Sequence, residues 1–121
     1  MTRVEKIDLS EKFGLFDEQW SPKIVAEVDG LQVRLAKLEG EFVWHGHENE
    51  DEMFLVVSGD LTIRLRDGDL DLSEGQLAVV PKGVEHMPVA KNEVHVLVLT
   101  AESTVNTGDS GGERTKRAEW I

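Results

Sequence analysis

A long series of short apolar runs, each closed by a turn signal, most strongly constrains the fold of this chain. From Ile24 onward, segments rich in Val, Leu and Ile alternate with Gly- and Asp-containing turns. Strands are predicted near 24–28, 31–39, 42–47, 52–57, 61–66, 69–72, 77–80, 85–90 and 93–99. The turn signals are Asp29-Gly30, Glu39-Gly40, Ser58-Gly59-Asp60, Asp67-Gly68-Asp69, Glu74-Gly75 and Lys91-Asn92.

Alternation within these runs indicates how the sheet is buried. Leu61, Ile63 and Leu65 alternate with polar residues, which is typical of a strand with one buried and one wet face. No helical period of comparable length interrupts the series. Many short strands at even spacing, without long helices, favour an all-β sandwich or jelly-roll barrel.

At 121 residues the chain fits a single domain. We expect an N-terminal extension over 1–23, a β-barrel domain over 24–104, and a C-terminal loop and short terminal segment over 105–121. Ser10 is a possible cap for a short helix that Gly14 ends. Trp120 and Ile121 at the end of the chain are expected to dock on the barrel.

Composition excludes several classes of function. With 13 Lys and Arg against 24 Asp and Glu, the formal net charge is -11, which disfavours nucleic acid and anionic membranes as partners. The absence of Cys removes disulfides, thiolate metal sites and cysteine nucleophiles. The first eight residues are charged and contain no apolar segment of a signal peptide. No apolar run approaches the roughly 20 residues of a membrane helix, so a cytoplasmic location is expected.

The first chemical motif is a pair of histidines that flank a glycine, His45 and His47. On a strand, residues at i and i+2 point to the same face, so both imidazoles are expected to converge on one side. Such a pair alone is weak evidence, because two ordinary strand histidines give the same pattern.

Glu52 and His86 strengthen the case for a metal. Glu52 leads the apolar run at 53–57, and a carboxylate there is costly in a core unless it is paired or coordinated. His86 follows a buried run and a Pro-x-Gly turn. Three imidazoles and one carboxylate make a first shell for one divalent transition metal, with one or two positions open. Fe(II), Mn(II), Ni(II), Co(II) and Zn(II) all suit such ligands.

These residues resemble the two motifs of the cupin superfamily, and in particular its small, stand-alone bacterial members. Residues 40–59 are similar to the first motif and residues 75–86 to the second. The matching positions are Gly40, His45, His47, Glu52 and Gly59, then Gly75, Pro81, Gly83 and His86. The spacing from Gly40 to His45 is one residue shorter than usual, and Ala90 stands where the second motif usually ends in Asn. The resemblance implies a double-stranded β-helix barrel with His45, His47, Glu52 and His86 as metal ligands.

Three other residues have less specific patterns. If the strand from Leu31 is regular, Lys37 shares a face with Leu35 and points into the barrel as an anion-binding, catalytic group. The alternative is a lysine near the strand end whose charge reaches water. His95 is interpreted as a packed histidine, and Trp44 as a core or dimer contact.

Because one fold hosts many functions, three hypotheses remain open. The first is a metal-dependent enzyme, of oxygenase, isomerase or lyase type, acting on a small polar or anionic metabolite. The second is a non-catalytic module that binds a small molecule or a metal. The third, a metal-stabilised structural barrel, fits less well because structural sites usually close their coordination sphere with protein groups. A homodimer is also expected, because the strand near 93–99 is apolar on both faces.

Overall fold

The computed structural model describes residues 3–121 and shows a chain of strands with one short helix. The first two residues of the expected 1–23 extension lie outside the described residues. In chain order the elements are α1 (Leu9–Phe13), β1 (Lys23–Val28), β2 (Leu31–Glu41), β3 (Glu52–Ser58), β4 (Leu61–Leu65), β5 (Gly68–Leu72), β6 (Leu77–Val80), β7 (His86–Ala101) and β8 (Glu119–Trp120). In the part of the chain described here, no helix is long and apolar enough to cross a bilayer.

The two longest strands, β2 and β7, form the centre of the sheet. They pair antiparallel from Leu31 opposite Ala101 to Glu41 opposite Val89. The first half of β7 also pairs with β4, and its second half pairs with β3. The hydrogen-bonded order is β5-β4-β7-β2-β1-β8, while β3 pairs with β7 and β6, and the sheet does not close. This jelly-roll arrangement confirms the predicted fold class.

The inner core lies between the folded-over halves of the sheet. Strand alternation supplies it with small and β-branched side chains, such as Ala36 on β2, Val56 on β3 and Val96 on β7. Ala36 lies directly opposite Val96, which in turn lies opposite Val56, so one apolar row crosses three strands. The candidate metal ligands lie at one end of this inner space.

The N-terminal segment covers part of the outer face of the sheet with a second, smaller core. Phe13 of α1 and Phe16 pack against Val25 and Leu35, and Ile121 from the C-terminus joins them. Asp8, rather than Ser10, caps α1, because its carboxylate accepts the Glu11 N–H at 3.2 Å. Strand β2 is therefore buried on both faces.

The terminal segment docks on the barrel as the sequence indicated. Strand β8 pairs in parallel with β1, and the Ile121 N–H donates to the Ile24 carbonyl at 3.1 Å. The side chain of Lys12 donates to the Ile121 carbonyl at 2.9 Å, which ties this end to α1. Trp120 itself remains 57% exposed.

Three sequence predictions about strand ends are wrong. Residues 42–47 do not form a strand, since only His45 makes an isolated bridge, to His86. The pair Lys91-Asn92 forms no turn, because β7 runs through it without a break. Likewise β2 continues through Gly40, where φ is +82° and the register with β7 shifts, as at a β-bulge. A bulge absorbs the turn signal by bending the strand instead of reversing it.

Candidate metal centre

Four ionisable side chains from three parts of the chain meet inside the barrel. His45 and His47 come from the irregular segment before β3, Glu52 is the first residue of β3, and His86 is the first residue of β7. Their exposed fractions are 3%, 4%, 6% and 0%. One possible ligand atom from each lies within 4.8 Å of all the others. The structure thus brings together the four residues that the sequence pattern singled out.

Glu52 is the hub of this cluster. Its Oε1 lies 3.3 Å from His47 Nε2 and 3.4 Å from His86 Nε2. The imidazole centroids of His45 and His86 are 4.3 Å apart, and those of His45 and His47 are 5.0 Å apart. Three imidazoles this close to one carboxylate can bind a single shared ion. The grouping is not that of aromatic rings packed for apolar contact.

Main-chain carbonyls fix the orientation of two of the rings. His45 Nδ1 lies 2.9 Å from the Val43 carbonyl, and His86 Nδ1 lies 3.0 Å from the Val84 carbonyl. A carbonyl only accepts, so each Nδ1 carries the proton and each Nε2 presents a lone pair to the cluster. Metal-binding histidines are commonly oriented in this way by their second nitrogen.

Unpartnered buried nitrogens provide the test of fit for a metal. His47 Nδ1, His47 Nε2 and His86 Nε2 are buried, and none meets a partner in hydrogen-bonding geometry within residues 3–121. Buried polar atoms normally have a hydrogen-bond partner, and a buried polar atom without one costs roughly 1–3 kcal/mol of stability. A divalent cation bound by these imidazoles and by Glu52 removes that cost for the nitrogens that coordinate it, so the residues fit a metal.

Two of the groups have pKa values that keep them in the protonation state in which they can bind a metal. Burial raises the pKa of Glu52, but the close approach of His47 and His86 to its carboxylate outweighs burial and holds that pKa at about 2. Burial, with the neighbouring His86, lowers the pKa of His45 to about 4. Burial also lowers the pKa of His47, yet the nearby negative charge of Glu52 prevails and raises it. At neutral pH the cluster therefore holds an ionised carboxylate and a neutral His45.

The C-terminal loop braces the segment that carries His45 and His47. The Gly46 N–H donates to Asp109 Oδ1 at 2.9 Å, and the Asp109 N–H donates to the Gly46 carbonyl at 2.9 Å. The sequence did not indicate a role for Asp109, because the composition of a polar loop does not show which residue an acidic side chain contacts. The His47 carbonyl accepts the Gly83 N–H at 2.8 Å, so the second motif braces the first as well.

A cavity of about 60 Å³ that opens to solvent borders the cluster. His45 and Glu52 form part of its wall, and Arg34 is the strand cation that lines it. Arg34 was also missed, although its position on β2 puts it on the same face as the inward-facing Ala36 and Leu38. The cavity gives the candidate centre an access route from solvent.

Lys37 does not line this cavity, so the predicted inward orientation is wrong. Its Nζ donates to the Phe16 carbonyl at 2.6 Å and lies 4.9 Å from the centroid of the Phe16 ring. The residues that share its face of β2, such as Leu35, pack in the outer core. The N-terminal segment covers this face, which is why an apolar pattern there does not mark the barrel interior.

His95 and Trp44 also lie apart from the cluster. His95 stacks on Phe13 with ring centroids 4.6 Å apart, and its Nε2 lies 3.2 Å from Glu93 Oε1. This agrees with the interpretation of His95 as a packed histidine. Trp44 lies under the Arg66 guanidinium at 3.7 Å.

A jelly-roll barrel with three buried imidazoles and a carboxylate at one end defines a small protein with a candidate mononuclear metal site. Residues 31–102 match the cupin domain family, Cupin_2, and the chain belongs to that family.

Several known proteins are similar to this chain in sequence and fold. A cupin-2 domain containing protein from Shewanella frigidimarina is 46% identical, with a TM-score of 0.76 over 77% of this chain and 91% of that one. Protein NMB1881 from Neisseria meningitidis is 34% identical, with a TM-score of 0.74 over 80% and 99% of the two chains. YdbB from Bacillus subtilis is 38% identical over 63 residues, which are 51% of this chain and 56% of YdbB. The match therefore spans little more than half of YdbB.

Proposed function

We propose that this protein is a metal-dependent enzyme that acts on a small polar or anionic metabolite. One observation carries the proposal: buried imidazole nitrogens without protein partners face a single ionised carboxylate beside a cavity. His45, His47, Glu52 and His86 would hold one divalent transition metal. Fe(II), Mn(II), Ni(II), Co(II) and Zn(II) remain candidates, because imidazole and carboxylate ligands suit each of them.

The four residues would divide the work of holding the ion. His45 and His86 each present Nε2, oriented by a main-chain carbonyl. Glu52 supplies the negative charge, and its low pKa keeps it ionised over the physiological range. A bound divalent ion would supply Lewis acidity, which polarises a carbonyl or activates water or dioxygen. The cavity would admit the metabolite to this end of the barrel and limit its size.

A non-catalytic binding module is the second candidate function, and the composition of the cavity wall favours it. Among the described residues, the titratable groups that line the cavity are Arg34, His45 and Glu52. Two of these are candidate ligands, and a guanidinium stays protonated near neutral pH and therefore cannot act as a general base. A general acid or base would then have to come from solvent or from the substrate itself.

Three measurements test the proposed function. Elemental analysis of protein purified without added metal should find about one equivalent of a transition metal per chain. The relaxation rate of water protons should then increase when the protein is loaded with Mn(II), because a catalytic site keeps one coordination position open to exchangeable water. A loaded site that leaves water relaxation unchanged would refute the enzyme. Mass spectrometry of a pool of small carboxylates and carbonyl compounds, incubated with loaded protein, separates turnover from binding.

We further propose that the protein is a homodimer formed through the outer face of the sheet. Two apolar rows cross this face: Val79, Met53 and Leu99, and beside them Leu77, Leu55 and Leu97. Leu77 and Val79 are 54% and 55% exposed in the single chain. A contiguous apolar sheet face of this kind is typical of an interaction surface. A second copy offers the same flat face and adds no unpaired charge, as a two-fold contact requires.

A further inference from the structure

Arg34 is a buried cation that borders the cavity of the candidate metal centre. Its exposed fraction is 3%, and it lies on β2 opposite Val98 of β7, which lines the same cavity. The carboxylate of Glu52 belongs to this cavity wall as well. An arginine is rarely this buried without a partner of opposite charge.

The protein partners of the Arg34 guanidinium are neutral. Nε and Nη2 donate to Gln32 Oε1 at 3.1 and 2.9 Å, and Nη1 donates to the Thr104 carbonyl at 2.8 Å. Nη2 also approaches the carbonyls of Ala101 and Glu102 at 3.4 and 3.2 Å. A guanidinium has five N–H groups, so these contacts leave one N–H of Nη1 without a protein acceptor among residues 3–121.

Burial lowers the pKa of Arg34 and, among residues 3–121, outweighs the charges of Glu52 and Glu50, which offset the charge of Arg34 only at a distance. None of the ion pairs within residues 3–121 includes Arg34. A purely structural clamp on three carbonyls accounts for the neutral hydrogen bonds. It does not account for a full positive charge kept in a water-poor wall, where an unpaired charge is costly. A ligand that brings a negative charge into the cavity lowers that cost.

The rest of the cavity wall indicates the body of such a ligand. Most of the wall is apolar, and its apolar side chains include Trp20, Leu38, Phe42, Phe54 and Val96. Trp20 and Phe42 stack on each other with ring centroids 4.6 Å apart, which makes this part of the wall rigid and flat. A heavily hydroxylated sugar would leave its hydroxyls unpaired against these side chains.

We infer that Arg34 binds the anionic group of the ligand, and that the ligand is a small monocarboxylate with an apolar body. This inference rests on the proposed function, because it places that ligand beside the metal. Arg34 acts as a specificity-determining residue, because its remaining N–H and its charge select a carboxylate over the neutral amide of the same shape. Lys37, the anion-binding group expected from the sequence, is fastened to Phe16 on the opposite face of β2.

The experiment compares isobutyrate with its neutral isostere isobutyramide, titrated by NMR into metal-free and Zn(II)-loaded protein. The wild type should prefer isobutyrate by about tenfold or more, since hydrogen bonds to charged groups contribute at least that factor. Arg34→Gln should lose this preference, and Arg34→Lys should recover part of it. The matched control Arg64→Gln alters a strand arginine on β4 whose side chain is 44% exposed, and it should keep the wild-type preference.

Each outcome decides a separate point. Equal affinity of the wild type for both probes, or an unchanged preference in Arg34→Gln, would overturn the role of Arg34. If Arg34→Gln does not fold, the Nε resonance of ¹⁵N-labelled Arg34 in the wild type decides instead. It should shift with isobutyrate and not with isobutyramide, and no shift overturns the inference. A protein that binds no metal, yet shows the Arg34-dependent preference when metal-free, contradicts the proposed metal function and leaves the ligand class standing.

Discussion

His45 and His86 hydrogen-bond each other's backbone in both directions, with the His45 N–H on the His86 carbonyl at 3.0 Å and the reverse bond at 2.8 Å. This bridge joins the two motifs at their candidate ligands. Backbone hydrogen bonds therefore set the distance between the two imidazoles. The centre is preorganised, so binding costs little ordering of side chains.

Loss of one imidazole should abolish stoichiometric metal binding. His86→Ala and His47→Ala should each reduce the metal content to well below one equivalent and remove the rise in melting temperature that metal gives the wild type. The reason is linkage: an ion at about 100 times its dissociation constant stabilises the fold by roughly 3 kcal/mol. Elemental analysis and thermal unfolding with and without chelator measure both effects.

His95→Ala is the matched control for these variants. His95 packs on Phe13 in the outer layer and belongs to no part of the cluster. Its removal should cost some stability but leave metal content at the wild-type level. Wild-type metal content in His47→Ala and His86→Ala would contradict the assignment of the centre.

The acid sensitivity of the metal-free protein should depend on His45. Its pKa is lowered from 6.5 in the unfolded chain to about 4 in the fold by burial and by His86. A lowered pKa gives a stabilising contribution that is complete above pH 6.5 and declines as the pH falls to about 4. The shift corresponds to about 3 kcal/mol. In His45→Gln the free energy of unfolding should therefore change less between pH 7 and pH 4 than in the wild type.

Urea titrations at several pH values measure this difference without metal. Glu52 acts in a lower window, because its pKa of about 2 gives a contribution that is complete above pH 4.5 and lost below it. His47 acts in the opposite sense, since its raised pKa stabilises the fold below pH 6.5 and loses effect as the pH rises. Parallel curves for the wild type and His45→Gln would show that His45 is not the acid-sensitive group.

Sequence patterns were sufficient for the fold class and for the four clustered side chains, because both depend on local spacing. Alternation fixes which residues share a strand face. The H-x-H spacing was informative as part of a motif, although His45 and His47 lie in an irregular segment and not on a strand. Alternation does not say which face is interior when a strand is buried on both sides. On β2, Leu35 and Ala36 are both buried, so the choice depended on what covers each face. The N-terminal segment covers the Leu35 face, and Lys37 was assigned to the wrong side.

Long-range contacts explain the other misses. The pairing of Asp109 with Gly46 joins residues that are distant in sequence, and loop composition carries no information about it. The pair Lys91-Asn92 has turn chemistry, yet both residues are exposed in mid-strand beside the register shift at Gly40. Residues 91–93 of β7 lie opposite the single residue Glu39 of β2, so a bulge in β7 accommodates residues whose composition predicted a reversal of the chain.

The proposed dimer should depend on the outer apolar rows. Leu77→Lys places a charge in one of them and should convert the dimer to monomer, because a buried unpaired charge costs several kcal/mol at an interface. Leu70→Lys is the control, since Leu70 is 40% exposed but lies on β5, away from the two rows. Light scattering at micromolar concentration measures both. A monomeric wild type, or a dimeric Leu77→Lys, would count against this interface.

Gly108 should prove essential to the metal centre, although it contributes no side chain to it. It adopts φ +54°, and a Cβ at this position would overlap the Gly46 carbonyl, between the two histidines of the first motif. Gly108→Ala must therefore push the loop away from Gly46, which weakens the Asp109 contacts and displaces His45 and His47. We expect a loss of stability above the roughly 1–2 kcal/mol of left-handed strain alone, together with at least tenfold weaker Zn(II) binding.

Gly111→Ala separates the two causes, because Gly111 has φ +63° in the same loop but a Cβ added there would meet no atom within 4 Å. That variant should show the strain without the loss of Zn(II) affinity, measured by competition with a chromogenic chelator. Equal Zn(II) affinities in the two variants would mean that the loop does not position the histidines.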